Sequence, residues 1–175
     1  MAKKISLFAC LLSLLIACSS NKDKDKFWWL PQLIYADMAD AEAPLNKSEY
    51  IPDSTKEDLI YVDTGEILHF YTTTIYGKKF QLILNEKDKI ITGLCLKSKD
   101  FSDVTELDKI TSKVKNAIVE EWEEPLQDSW SPKDKGETMR VILWDILNAP
   151  LLIASDSKTL SFSLQYNNVP SPFDE

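Results

Sequence analysis

One strong helical pattern stands in this chain, with β-type patterns on both sides of it. Residues 103–123 carry apolar side chains at steps of three and four, which places them on one stripe of a helix: Val104, Leu107, Ile110, Val114, Ala117, Ile118 and Trp122. Asp103 and Glu106 have the spacing of a capping box, and Pro125 follows the end of the pattern. Because an apolar stripe must be buried against another element, this helix needs a sheet to cover it.

The β patterns form one block before the helix and one block after it. Each run is rich in β-branched and aromatic residues and is bounded by turn residues. In the last run apolar and polar residues alternate, which predicts one buried and one solvent-facing side. The seven runs are residues 59–62, 66–76, 79–85, 90–97, 137–146, 151–155 and 159–167.

These patterns predict an α+β fold. We expect an antiparallel sheet of about seven strands in two meander blocks, packed on one central amphipathic helix. A short N-terminal helix at residues 31–43 precedes them, with Pro44 at its end. The domain spans residues 27–167, with loops at 44–56 and 125–136, and residues 168–175 form a flexible tail.

The first twenty residues have the layout of an export signal. Lys3 and Lys4 precede a small-or-apolar run over residues 5–17, which is too short to cross a bilayer because a span needs about 20 residues. Cys18 follows the run, and residues 19–26 alternate lysine and aspartate after a short polar start. We expect residues 18–26 to form a flexible tether.

This segment resembles bacterial lipoprotein signal peptides, with Leu15-Ile16-Ala17-Cys18 as the lipobox. The resemblance covers residues 1–20 and implies cleavage after residue 17, a diacylglycerol thioether on Cys18, and acylation of its new amine by a fatty acid such as palmitate. Each buried CH₂ contributes about 0.8 kcal/mol, and several chains are needed for lasting attachment.

The residue after the lipobox cysteine bears on sorting. Ser19 stands where an aspartate would favour the inner membrane, so the resemblance implies an outer-membrane lipoprotein that faces the periplasm. Surface exposure, a host with a single membrane, an uncleaved leader and an ordinary signal peptide remain alternatives.

Composition excludes several classes of function. The formal net charge is −8, and loss of Lys3 and Lys4 with the leader takes it to −10, which argues against nucleic-acid binding. Cys95 would be the one cysteine left besides the lipid-bearing Cys18, so no intrachain disulfide is expected. His69 is the single histidine, and no metal site or cofactor motif is predicted.

Loop tryptophans and a run of glutamates are the candidate partner-binding residues. Exposed aromatic side chains anchor protein interfaces, and like charges at a helix C-terminus carry a local cost that a cationic partner would relieve. For the tryptophans the alternatives are packing on their own domain and, for Trp28 and Trp29, insertion into the membrane interface. For the glutamates they are a solvated helix end and a divalent-ion site. The residues are Trp28, Trp29, Trp130, Glu120, Glu121, Glu123 and Glu124.

Two functions follow from these observations. The first is a non-enzymatic envelope lipoprotein that binds a protein partner in the periplasm, for example an immunity protein against a toxin or an envelope-assembly accessory. The second is a hydrolase that acts on envelope substrates through carboxylates or through a His69–Cys95 pair. The lack of a catalytic motif favours the first.

The Cys18→Ser variant tests the anchor. We expect the wild-type chain to sediment with membranes and to carry an acylated N-terminal cysteine, because the lipid holds it there. The variant should be released to the soluble fraction. Fractionation and intact-mass spectrometry measure both, and an unacylated, intact leader in the membrane fraction contradicts the assignment.

Overall fold

Nine antiparallel strands form one sheet in the computed structural model, which describes residues 22–133, 137–147 and 149–167. The predicted signal peptide, Cys18 and the tail at 168–175 lie outside the described residues. The strands are β1 (Ile51–Pro52), β2 (Leu59–Tyr61), β3 (Glu66–Ile75), β4 (Lys78–Lys87), β5 (Ile90–Ser98), β6 (Gln127–Lys133), β7 (Glu137–Ile146), β8 (Ala149–Asp156) and β9 (Ser161–Tyr166).

The sheet has the order β1-β3-β4-β5-β9-β8-β7-β6, and β2 pairs with β3 beside β1. The described residues also include a 3-10 helix (Leu30–Leu33), α1 (Met38–Lys47) and α2 (Val104–Glu121). The prediction of an α+β fold with about seven strands in two blocks is therefore wrong: strand residues far outnumber helical ones, and both blocks belong to one sheet. The pairing of β5 with β9 joins them, and this contact is long-range in sequence, so no local pattern signals it.

Two strands lie in segments that were predicted to be loops. β6 occupies residues 127–133 and pairs with β7 along its length, while β1 pairs with β3 through two residues. Both are at the edges of the sheet and both contain a proline, Pro132 and Pro52. An edge strand needs pairing on one side only, so it tolerates proline and lacks the apolar alternation of a central strand.

The N-terminal helix also differs from the prediction. Residues 31–43 are divided between the 3-10 helix and α1 by Tyr35, which has a φ of 68°. Pro44 lies inside α1, and the helix continues to Lys47. Its last turn closes because the backbone amides of Ser48 and Tyr50 donate to carbonyls of the Pro44–Leu45 turn. The helix therefore continues past the proline, although Pro44 has no amide to donate to the carbonyl four residues before it.

The long helix forms where the sequence predicts it. The Asp103 side chain accepts a hydrogen bond from the Glu106 amide at 2.9 Å, and the Glu106 carboxylate accepts from the Ser102 amide at 2.9 Å. The predicted stripe is buried except at its ends, where Val104 is exposed and Trp122 is half-buried. None of the helices in the described residues has the length and apolarity of a membrane span.

The main core lies between α2 and one face of the sheet. Trp144, Tyr166 and Phe162 are almost fully buried there with Leu107 and Ile118 of the helix. The opposite face carries a smaller apolar cluster of Leu68, Ile83 and Cys95, covered by Tyr61 and Phe70. We call this second side of the sheet the open face, because its buried cluster consists of strand residues alone.

The folded part of the chain begins earlier than the predicted boundary at residue 27. The Lys26 ammonium donates to the Glu49 carboxylate at 2.7 Å and to the Thr74 carbonyl at 2.8 Å. The Tyr50 hydroxyl donates to the Lys26 carbonyl at 2.7 Å, and Phe27 is in the core. Residues of the lysine/aspartate run therefore pack on the domain, since the long lysine side chain buries its stem and still finds charged and polar partners.

The Lys26→Ala variant tests whether residues before 27 belong to the folded domain. Lys22→Ala is its matched control. Both lysines pair with Glu49, but the Lys26 side chain is 8% exposed and that of Lys22 is 69% exposed. Lys26→Ala should lower the free energy of unfolding by about 1–3 kcal/mol because the buried Lys26 ammonium makes part-buried hydrogen bonds to Glu49 and to the Thr74 carbonyl. Lys22→Ala should leave it unchanged. Urea unfolding measures both, and equal effects would contradict the assignment.

Candidate functional site

The open face holds a groove of about 910 Å³. Its floor is a row of residues that lie opposite one another on adjacent strands: Thr72, Gln81, Lys97 and Ser163. Paired residues on adjacent strands point to the same side of a sheet, and successive residues of one strand point to opposite sides. The walls are the segments that leave the strands at this end of the sheet: residues 53–56 after β1, residues 99–100 after β5, and the turn after Asp156.

Four lysines line the groove, in a chain whose net charge is −8: Lys56, Lys79, Lys97 and Lys99. Lys97 is half-buried on the floor. Burial lowers the pKa of the Lys97 ammonium, and the positive charges of Lys56 and Lys99 lower it further. The groove thus gathers four of the lysines of an acidic protein.

Three aspartates also line the groove, and each accepts hydrogen bonds from its own surroundings. Asp53 accepts from the Thr55 hydroxyl at 2.6 Å, and hydrogen bonds from Thr55 lower the pKa of Asp53. Asp100 accepts from the Lys79 amide at 3.0 Å, and Asp156 accepts from the Lys158 amide at 2.9 Å. These carboxylates shape the walls because they bind the backbone or hydroxyls of the loops that form them.

The loop at residues 53–58 is fastened to the sheet at its start and at its end. Near its start, the Gln81 amide donates to Asp53 at 3.1 Å, and the Lys56 ammonium donates to the Gln81 amide oxygen at 3.3 Å. At its end, Asp58 lies 2.9 Å from His69 Nδ1, and Glu86 lies 2.7 Å from His69 Nε2. His69 therefore has a structural role: it holds the loop that carries Lys56.

The structure does not bring His69 and Cys95 together. His69 is opposite Leu84 in the β3–β4 ladder, and Leu84 belongs to the main core. Cys95 is opposite Ile83, which belongs to the cluster on the open face. The two side chains point to opposite sides of the sheet because neighbouring residues of a strand alternate, so the predicted His69–Cys95 pair is wrong.

Trp28 and Trp29 are both half-buried in the N-terminal segment. The Trp28 carbonyl accepts a hydrogen bond from the Trp122 indole at 3.1 Å. The Trp29 indole donates to the Asp25 carbonyl at 2.9 Å, and its ring meets Tyr50 edge-to-face with 6.5 Å between centroids. Both residues pack on their own domain and line a second cleft of about 540 Å³.

Trp130 lies apart from that pair, on the edge strand β6 at the α2 side of the sheet. Its side chain is 47% exposed, and the Arg140 guanidinium lies 5.6 Å from its ring centroid. Arg140 donates two hydrogen bonds of 3.0 Å to Asp128 and one of 3.1 Å to Ser112 of α2. Trp130 is the most exposed of the three tryptophans that were predicted to bind a partner. The hydrogen bonds of Arg140 hold the surface on which it lies.

The four glutamates at the end of α2 divide into two pairs. Lys24 bridges Glu120 at 2.9 Å and Glu121 at 2.5 Å, and these bonds raise the pKa of Lys24, that to Glu121 most. The side chains of Glu123 and Glu124 are exposed. The local repulsion that the sequence suggests is thus relieved in part within the chain.

The groove was not among the sequence-predicted sites. Its lysines belong to separate segments whose proximity depends on the β5–β9 ladder. The signal that was present is the polar side of the last strand, predicted to face solvent: Ser161, Ser163 and Gln165 do lie on the less buried side of β9. In the described ranges, no three His, Cys, Asp or Glu side chains come together to hold a metal ion.

Comparison with known proteins adds no family. No protein-family model matches the chain, and no curated protein or solved structure matches it significantly.

The thiol of Cys95 tests whether this residue is buried in the small cluster of the open face. Burial raises its pKa from 9.0 to about 11, so the thiolate that reacts with disulfide reagents is about 100-fold scarcer. In the full chain with Cys10→Ser and Cys18→Ser, we expect almost no reaction with an aromatic disulfide reagent at pH 8 and full reaction in urea. Absorbance of the released thiolate measures it, and rapid labelling of the folded chain contradicts the assignment.

Proposed function

We propose that this protein is a lipid-anchored envelope lipoprotein whose sheet domain binds another protein through the groove. The lipid on Cys18 holds the chain at the membrane, and the charged run after it keeps the domain close to the surface. An outer-membrane position facing the periplasm accords with Ser19. An immunity protein against a periplasm-acting toxin and an envelope-assembly accessory are both functions of this kind.

The observation that carries the proposal is the groove together with the edge beside it. Ile51 of β1, which is opposite Thr72 of the groove floor, is 65% exposed. A charged groove next to an exposed apolar side chain offers both parts of a protein interface, since apolar contacts supply affinity and charges supply orientation. Scattered apolar residues alone would not indicate this.

The chemistry of the groove accords with binding. Its lining supplies ammonium groups, hydroxyls and the Gln81 amide, which hold a ligand by hydrogen bonds and charge. The Lys97 side chain lies beside Ser163 on the adjacent strand. The cationic partner expected from the glutamates remains a prediction for Glu123 and Glu124.

Ser163→Trp tests the groove as the binding surface. Ser163 is on the groove floor and opposite Ala154 and Lys97, so a large side chain there should fill the groove without entering the main core. Full mature chain immobilised in an uncharged detergent should capture a partner from envelope extract, and the variant should lose most of it. Quantitative mass spectrometry of the captured proteins measures the difference.

Thr105→Trp is the matched control. Thr105 is exposed in the first turn of α2, on the other side of the sheet, and the change in side chain is similar in size. This variant should capture the partner as well as wild type does. If no captured protein depends on Ser163, or if Thr105→Trp has the same effect, the groove is not the binding surface.

A further inference from the structure

The structure shortens the connection between Cys18 and the folded domain. The sequence predicts a flexible tether over residues 18–26, but the chain contacts the domain from Lys22 onward. The Lys22 ammonium donates to the Glu49 carboxylate at 2.8 Å, and Lys24 forms ion pairs with two glutamates at the end of α2. Four residue steps remain between Cys18 and Lys22. We call this connection the link, and whatever its conformation it spans at most about 14 Å.

A link of this length limits which side of the domain can face the membrane. A globular domain of about 150 residues has a radius of gyration of about 15 Å, so it is wider than the link is long. With the lipid of Cys18 in the bilayer, the surface around Lys22 stays next to the phospholipid headgroups. The far side of the domain cannot reach them.

The surface around Lys22 contains the second cleft, of about 540 Å³, which Trp28 and Trp29 also line. Both tryptophans are half-buried, so the domain does not cover either of them completely. Tryptophan is enriched at membrane interfaces because its ring is apolar and its indole N–H is polar. The cleft therefore combines a residue type that favours the headgroup region with a position beside the anchor.

The charges of the cleft also suit a headgroup layer. Its lining carries three lysines, Lys22, Lys26 and Lys47, and two acidic residues, Asp25 and Glu49. Glu49 accepts from Lys22 at 2.8 Å and from Lys26 at 2.7 Å, and Lys47 is exposed. An anionic leaflet would repel an acidic protein as a whole, but it would not repel this surface, because basic residues outnumber acidic ones there.

We propose that the cleft of Trp28 and Trp29 faces the membrane and lies against the phospholipid headgroups, where the link to Cys18 holds it. This rests on the lipid anchor of the proposed function and names the surface that the domain turns to the bilayer. The bilayer is the occupant because the link keeps this surface beside it, whereas a soluble partner would have to displace headgroups to reach it.

This orientation also defines the end of the domain that is remote from the membrane. Lys26 lines the cleft and donates to the Thr74 carbonyl, so the cleft lies at the end of β3 that carries Thr74. Glu66 begins β3 at its other end, about 27 Å away along the strand. The turn between β2 and Glu66 therefore lies away from the bilayer.

Quenching of a fluorophore at position 32 tests this proposal. Gln32 is exposed and lines the cleft. The full lipidated chain with Gln32→Cys is labelled with a nitrobenzoxadiazole reagent and bound to phosphatidylcholine vesicles. The label should lose most of its fluorescence when part of the lipid carries a nitroxide on its headgroup, because the nitroxide quenches at short range. Cys95 is buried and should take up little label.

Asp63→Cys is the matched control. Asp63 is exposed in the turn between β2 and β3, at the end of the domain remote from the cleft. A label at this position should keep its fluorescence in the same vesicles. Equal quenching at positions 32 and 63 would show that the domain has no preferred orientation, and stronger quenching at position 63 would show the reverse one. Either result overturns the proposal.

A longer link tests the cause of the orientation. We insert about 20 glycine and serine residues between Ser20 and Asn21, since a flexible chain of this length has an r.m.s. end-to-end distance of about 25 Å. Quenching at position 32 should then fall toward that at position 63. The same segment added after Glu175 should leave it unchanged. If the insertion has no effect, the link does not hold the cleft at the membrane and the proposal is wrong.

The anchor and the orientation fail separately. Flotation of the labelled chain with the vesicles measures the anchor, and Cys18→Ser should abolish it. If the chain floats but the label at position 32 is not quenched, the lipid anchor stands and the membrane-facing cleft is wrong. If the lipidated preparation does not float, the anchor of the proposed function is wrong, and the orientation that rests on it is wrong as well.

Discussion

The ladder between β5 and β9 joins two meanders that α2 separates in the chain. Without this pairing, β3–β5 and β6–β9 would be small sheets with two further edges, and each would leave an apolar face too narrow for the helix. The ladder also sets Lys97 opposite Ser163, which aligns the groove floor across the two blocks. The core and the candidate site thus depend on the same long-range contact, whose loop-closure cost is met only when the whole sheet assembles.

The two faces of the sheet have different roles in the molecule. One face is closed by α2 and the N-terminal segment around Trp144 and Tyr166; the Tyr166 hydroxyl donates to the Ile146 carbonyl within it. The other face has only a small buried apolar cluster near β2–β5; elsewhere it carries the polar side chains of the groove and half-buried apolar side chains on β7 and β8. A sheet with one dry face is stable enough to leave the second face for ligands. The loop at residues 53–58, which His69 holds through Asp58, forms one wall of the groove on that second face.

Much of the local structure could be predicted from the sequence. The cap at Asp103, the stripe of α2 and the alternation of β9 depend on residues a few positions apart in the chain, so these features can be recognised in the sequence. The tether boundary, β6 and the course of α1 past Pro44 were missed, because each is stabilised by partners distant in the chain. For the site, sequence reasoning chose tryptophans and glutamates by residue type. The structure shows Trp28, Trp29, Glu120 and Glu121 engaged within the domain.

What the amino-acid sequence determined by itself is the set of local patterns: the amphipathic helix, most of the strands and the polar side of β9. Only the tertiary structure decided that the strands form a single sheet, that His69 and Cys95 point to opposite faces, and that four lysines from separate segments share one groove. The reason is physical. Periodicity and capping act between neighbours in the chain, whereas strand order and register are settled by which faces can be buried together once the chain has closed on itself.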